Sequence, residues 1–273
     1  MCAPPADRKY SFSALESFAH CPMMYRLKYI DRVPDQDNAF GQYGTWCHRL
    51  LEQYEKGEIP LIALAEEYKD GYDGAVTRSF PPFPRGMGEK YYQQGLAYFE
   101  SFQGFGDQYE VLAVEERFEL TIGEFQFVGV VDLVLQDKKT GDITVIDHKS
   151  KSSNTMHKDL PTFRRQLYVY AAFVKQRFGV WPKYLKFNLF RENEWVTETF
   201  DLEEYEQTMK WVVETIENIL FETEWKVCPS SYFCRFVCGV ADSCPALNAV
   251  LNPLPKAPKQ AQPHESENRN ASD

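Results

Sequence analysis

The sequence predicts an α/β protein: a mixed sheet flanked by helices, with further helices added before it. Three observations carry this. A chain of 273 residues that is 44% apolar and 15% aromatic is long enough to close a sizeable core. Three strand-like runs, about 110–121, 125–136 and 142–150, follow one another with turn signals at Gly123 and at Thr140-Gly141. A helical run and then two more strands succeed them, an order that fits neither a bundle nor a sandwich.

The elements read in order as follows. Ser13 and Glu16 form a capping-box pattern, continued by Leu15, Phe18 and Ala19 into a short helix that ends near Pro22. From about Thr45 to Lys56, Trp46, Leu50, Leu51 and Tyr54 make an apolar stripe with His48 beside it. Helices over about 61–78 and 89–103 flank the breaker cluster PPFPRGMG. After the three strands, Pro161 to Phe178 is a helix with Phe163, Leu167, Tyr170 or Ala171, Val174 and Phe178 at core spacing. Strands over 184–190 and 195–200 and a long helix over 202–221 complete the pattern. Residues 11–245 read as one domain: a helical part to 105, the sheet core to 200, then a C-terminal helix with cysteines. Residues 1–10 read as a flexible N-terminus, and 252–273, almost without apolar residues after Leu254, as a disordered tail.

No apolar run approaches a bilayer span and the N-terminus has no apolar h-region, so the expectation is an intracellular, cytoplasmic protein without a membrane. The net charge of −10 argues at first against a polyanionic partner. Its distribution argues the other way. From Lys149 to Arg191 there are ten Lys or Arg against one acid, Asp159, a local +9 that leaves −19 for the rest. Lys151 and the helical Arg164 and Arg165 are the candidate phosphate contacts in this stretch. Between Glu192 and Glu224, eleven acids face Lys210 alone, which reads as a solvated face. Seven cysteines, four of them within 228–244, indicate metal binding more than a disulfide framework.

The chemistry lies in two anomalous carboxylates. Asp132 sits in FVGVVDLVL, a strand apolar on both faces, where an unpaired carboxylate costs several kcal/mol. Asp147 and Lys149 repeat the anomaly in ITVIDHKS, two apart and so on one face. An ion pair would account for Asp147 with Lys149 and leave Asp132 unexplained; two carboxylates and a lysine fit a divalent cation with a charged helper. His48 is a possible neutral ligand beside them. Glu115 and Glu116, which open the meander, read as exposed strand-edge charge, with an added metal ligand as the alternative. Gln166 and Tyr170 are i,i+4 neighbours on one helix face, suited to positioning nucleic acid.

These residues resemble the restriction-endonuclease-like PD-(D/E)XK nuclease core, in the branch typified by the RecB and AddB nuclease domains. Asp132 and Asp147-His148-Lys149 are similar to its strand pair, with Ile146 where the family's name has proline. GTWCH, ending at His48, resembles its upstream histidine motif, QLYVY with Gln166 and Tyr170 its Q-x-x-x-Y motif, and SALESFAHCPMMYRLKY its N-terminal segment with one cysteine. Cys234, Cys238 and Cys244 resemble its terminal cysteine cluster, although the spacing C-x5-C-x3-C-x5-C departs from the usual one.

The resemblance implies an exonuclease or end-processing enzyme on DNA, single-stranded or with a free end, in repair, recombination or viral genome processing. One or two Mg2+ or Mn2+ ions would be held by His48, Asp132, Asp147 and the backbone carbonyl of His148. Lys149, Gln166 and Tyr170 would complete the catalytic set. Cys21, Cys234, Cys238 and Cys244 would hold a 4Fe-4S cluster or, alternatively, structural zinc, with Cys228 spare and Cys2 and Cys47 free. No Walker A loop is present, so a helicase or recombination partner would come from another chain. Two other readings are a catalytically silent DNA-binding subunit with this fold and an iron-sulfur redox or scaffold protein.

Overall fold

The structure, a computed structural model, describes residues 8–228 and 230–251. The expected disordered tail and Cys2 therefore lie outside the described residues. Residues 8–10, expected to be flexible, are tied down. Tyr10 is buried and bridges Phe127, exchanging backbone hydrogen bonds with Gln126 and Val128, and Arg8 donates to the Tyr29 carbonyl.

Five strands form one mixed sheet: β1 (Tyr109–Ile122), β2 (Phe125–Asp137), β3 (Ile143–His148), β4 (Tyr184–Leu189) and β5 (Glu194–Thr199). They lie side by side in chain order, antiparallel except for the parallel pair β3 and β4. A parallel pair needs a crossover, and α6 (Ser153–Lys158) with α7 (Leu160–Phe178) provides it. The short α6, capped by Ser152, gives no sequence signal of its own because a helix of six residues shows no apolar period.

Helix α7 packs on one face of the sheet with α1 (Phe12–His20) and α8 (Leu202–Phe221). Val134 and Val145 belong to that core, with Leu167, Val174 and Ile216. Leu133, Leu135 and Ile146 turn the other way, towards Phe105 and Tyr109. β3 is buried at all six positions, its Thr144, Asp147 and His148 included. A second core joins α3 (Ala39–Glu55), α4 (Leu64–Ala75) and α5 (Met87–Ser101) through Tyr43, Leu50, Tyr68, Tyr98 and Phe190.

Three expectations shift. Ser11, not Ser13, caps α1, its hydroxyl accepting from the Ala14 N–H; Ser13 already lies inside the helix. Pro22 does not stop the helical chain but opens α2 (Pro22–Tyr25), because proline at a first turn lacks only an N–H that would be unpaired anyway. Helix α3 begins six residues earlier than its apolar stripe, where the Asn38 side chain accepts from Gly41. Gly41 and Gly44, poor helix formers in the first two turns, mask the helical start in the sequence.

Gly129 shows how closely β1 and β2 fit α7. It pairs with Phe118, and a Cβ there would stand 2.4 Å from the end of the Phe118 ring, which stacks on Phe173 at 5.0 Å. Gly129→Ala is therefore expected to destabilise the fold by about 1–3 kcal/mol in urea titration, by overpacking. Unchanged stability would show that the ring has room to turn.

Candidate metal centre and substrate groove

The sheet register draws three carboxylates into one row. Leu133 pairs with Ile146, so the next position sets Asp132 across from Asp147. Val114 pairs with Leu133 and Glu116 with Val131, so Glu115 lies across Asp132 on its other side. Adjacent strands are about 4.8 Å apart, and like charges facing one another across a sheet destabilise it. The row therefore calls for a cation.

Helix α3 brings His48 to it. Its Nδ1 is 3.7 Å from Asp132 Oδ2 and 3.9 Å from Glu115 Oε1, and ligand atoms of these three residues all lie within 4.8 Å of one another. Glu115 is thus not the exposed edge charge expected of it. Its φ of 46° places it in the left-handed region, at a cost of about 1 kcal/mol or more for a residue with a side chain. Such strain is a local property of one strand position and leaves no trace in composition or period.

Asp147 is fully buried, and neither of its oxygens has a hydrogen-bond partner of good geometry, although Lys149 Nζ lies 2.6 Å from Oδ2. Burial drives its carboxyl up to about 6, against the pull of Lys149. Burial opposes charge on Lys149, but the Asp147 and Asp132 carboxylates outweigh it and its pKa is raised. Lys149 is thus a cation and not a base at neutral pH. Burial likewise opposes charge on His48, and Glu115 with Asp132 reverses that to a net rise. The orphaned oxygens and the O/N donor set of His48, Glu115, Asp132 and Asp147 fit a divalent cation.

Gln166 and Tyr170 act through Lys149. Lys149 Nζ donates to Gln166 Oε1 at 2.9 Å, and Gln166 Nε2 donates to Tyr170 Oη at 2.6 Å. Burial holds the Tyr170 hydroxyl protonated. These residues, with Asp132, line a groove of about 990 Å3 between α1, β1, β2 and α7, which also takes in Lys9, Ser13, Glu16 and Arg117. Lys9 and Arg117 lie outside the basic stretch that the sequence picks out.

Part of that stretch is engaged within the fold. Arg164 pairs with Glu204 at 2.8 Å and Glu198 at 3.7 Å, Arg165 lies over the Trp211 ring at 4.5 Å, and Lys151 lies over Phe163 at 4.5 Å. None of the three lines the groove itself, although Lys151 stands close enough to Glu16, Lys149 and Asp147 to feel their charges. The basic middle and the acidic segment after it are adjacent in space as in sequence, so each answers the other. His148, expected to offer its backbone carbonyl to the metal, donates its backbone N–H to Asp132 Oδ2 at 2.8 Å, while its ring is buried against Glu55. Burial pushes the Glu55 carboxyl well up and the His148 ring down to about 4, so both favour their neutral forms.

The sequence model of the PD-(D/E)XK nuclease superfamily matches residues 9–245. The chain belongs to this superfamily. Gene 69 protein of Mycobacterium phage D29 is 27% identical over 274 residues, covering 86% of this chain and 96% of the phage protein. A candidate exonuclease from Eubacterium rectale has a similar crystal structure, with a TM-score of 0.50 at 13% identity over 87% of this chain and 88% of its own, a likeness of fold. Membership makes the chain a nuclease-type hydrolase, of a superfamily that uses divalent metals.

At the other end of α1, Cys21, Cys228, Cys234, Cys238 and Cys244 line one apolar pocket with Met24, Leu27 and Val240. Backbone N–H groups of Met24 and Cys228 point at the Cys21 sulfur, at 3.4 and 3.3 Å. Cys228, expected to stand apart, shares the pocket. Cys47 is fully buried in α3, its thiol pushed up by burial. Among the described residues no helix is long and apolar enough to cross a membrane.

If the carboxylate row holds a cation, binding adds to folding energy. Mn2+ at about 100 times its Kd is expected to stabilise the wild type by about 2.7 kcal/mol, read as a rise in Tm. Asp132→Ala should abolish that rise. An equal rise in both proteins would place the ion elsewhere.

Proposed function

We propose that the chain is a Mg2+- or Mn2+-dependent deoxyribonuclease that works at DNA ends, as an exonuclease or end-processing enzyme in repair, recombination or viral genome processing. The observation that carries this reading is the row of Glu115, Asp132 and Asp147, capped by His48 and flanked by Lys149, at the base of a groove. A divalent cation held by His48, Glu115, Asp132 and Asp147 would polarise the scissile phosphate and acidify water at the site. The chain's own groups do the rest. Lys149, fixed between Asp147 and Gln166, is aimed to offset negative charge as it builds on the phosphate. Tyr170 holds Gln166, and so sets the angle of that lysine. Lys9 and Arg117 offer phosphate contacts along the groove that read no bases.

The depth of the site supports a substrate with a free or frayed strand. Asp132 is 8% exposed and Asp147 fully buried, so a phosphate must enter the fold to reach them. A strand separated from its complement does this more readily than a phosphate on an intact duplex. The fold likeness to the candidate exonuclease and the phage relative are in keeping with this reading.

With Mg2+ present, end-labelled linear DNA is expected to be degraded and covalently closed circular DNA to persist. Asp147→Ala should abolish cleavage, and Lys149→Ala should lower kcat by about 100-fold with little change in DNA affinity. Full activity of Asp147→Ala would remove the site assignment. Loss of affinity at unchanged kcat would make Lys149 a phosphate clamp.

We further propose that Cys21, Cys234, Cys238 and Cys244 hold a 4Fe-4S cluster, the zinc alternative having the same ligands. The shared pocket, the two N–H groups aimed at Cys21 and the distance of Cys21 from the others in sequence support a clamp between the first helix and the last described segment. Metal binding would then be folding energy. Anaerobically purified protein should be brown and contain iron, and Cys234→Ser should be colourless and protease-sensitive. Neither iron nor zinc in active, anaerobically prepared protein would reject the clamp.

A further inference from the structure

His148 stands between Asp147 and Lys149, yet its side chain points to the opposite side of the sheet, into the layer of α3 and α5. Three elements enclose it there. Its Nε2 is 2.9 Å from Glu55 Oε1 on α3, and its Nδ1 is 2.9 Å from Asn188 Nδ2 on β4. Asn188 lies 2.6 Å from the Tyr98 hydroxyl on α5. The side chains of Glu55 and His148 are 1% and 2% exposed, and Asn188 is fully buried.

A carboxyl group buried in this way costs several kcal/mol, and an apolar side chain of similar volume would often serve stability better. Its placement suggests what it does. Glu55 follows His48 by seven residues on α3, two helical turns along the same face. The Glu55–His148 contact therefore ties the helix that carries His48 to the strand that carries Asp147. Once the ring is fixed, so is the peptide that bears it, and the N–H of that peptide donates to Asp132 Oδ2 at 2.8 Å. One oxygen of Asp132 is thereby oriented from behind.

We propose that Glu55 is a positioning residue for the metal centre: through the His148 ring it sets the spacing of His48, Asp132 and Asp147 before a cation arrives. The inference rests on the metal-site reading above and adds to it a group that touches neither cation nor substrate. Partners behind a ligand shell typically affect metal affinity by about 10–100-fold.

The test is Mn2+ affinity, followed by electron paramagnetic resonance of the free ion, with near-UV circular dichroism to monitor the fold. Glu55→Asp keeps the carboxyl group but shortens its reach, and Glu55→Ala removes it; both are expected to lose affinity by about 10-fold or more. Glu55→Gln, which can meet the ring nitrogen through either amide atom, should bind as the wild type does. The KM for DNA should be unchanged in all three. Wild-type affinity in folded Glu55→Asp and Glu55→Ala would overturn the proposal, and Glu55→Asp alone decides if Glu55→Ala does not fold. A loss in Glu55→Gln as large as in Glu55→Ala would also overturn it, because length and hydrogen bonding are retained there. A wild-type protein that binds no Mn2+ would overturn the metal-site reading, and this inference with it.

Discussion

The repulsion among three carboxylates at one level of the sheet is the constraint on which the rest of this structure depends. Glu115, Asp132 and Asp147 lie on three adjacent strands in a row set by backbone register. Antiparallel pairing fixes that row as firmly as it fixes the apolar faces, because a slip of one residue would turn every side chain of a strand over. The charge has little access to solvent, since apolar residues bury Asp132 and Asp147 and only Glu115, at one end of the row, is partly exposed. It can only be answered locally, and the nearby features supply the answers. Lys149 lies against Asp147, the His148 N–H against Asp132, and His48 over Asp132 and Glu115.

Two layers meet at this row and divide the work. The α7 side presents Lys149, Gln166 and Tyr170 to an open groove, where a substrate can enter. The α3–α5 side is closed and aromatic, with Tyr43, Tyr68, Tyr98 and Phe190 packed around the buried Glu55, His148 and Asn188. A closed layer behind and an open one in front is an arrangement suited to holding ligands rigid while leaving one approach free. The helix that carries His48 belongs to the closed layer, so that ligand is positioned by packing as well as by hydrogen bonds.

Much of this was legible in the sequence, for reasons that can be named. Asp132 and Asp147 stand out because each interrupts an apolar strand, and Lys149 because a period of two puts it with Asp147. His48, Gln166 and Tyr170 were found through motif resemblance and helical spacing, and the structure brings all of them to one site. Glu115 reads as edge charge before it reads as a ligand because its placement depends on register with Asp132 and on a left-handed backbone position, neither of which has a local signature. Glu55 carries no signal of its own in the sequence, because only tertiary packing buries it. For Arg164 and Arg165, a count of charges along the chain does not say which face of α7 they occupy or which acids they meet. The neighbouring acids of α8 and β5, read as a solvated face, are what Arg164 meets.

The central claim is that the carboxylate row is a cation site, and anomalous X-ray scattering from crystals soaked in Mn2+ tests it most directly. The account predicts an anomalous peak within ligand distance of His48, Glu115, Asp132 and Asp147. Ordered Mn2+ elsewhere, with Asp132 and Asp147 still facing each other and no peak between them, would contradict it.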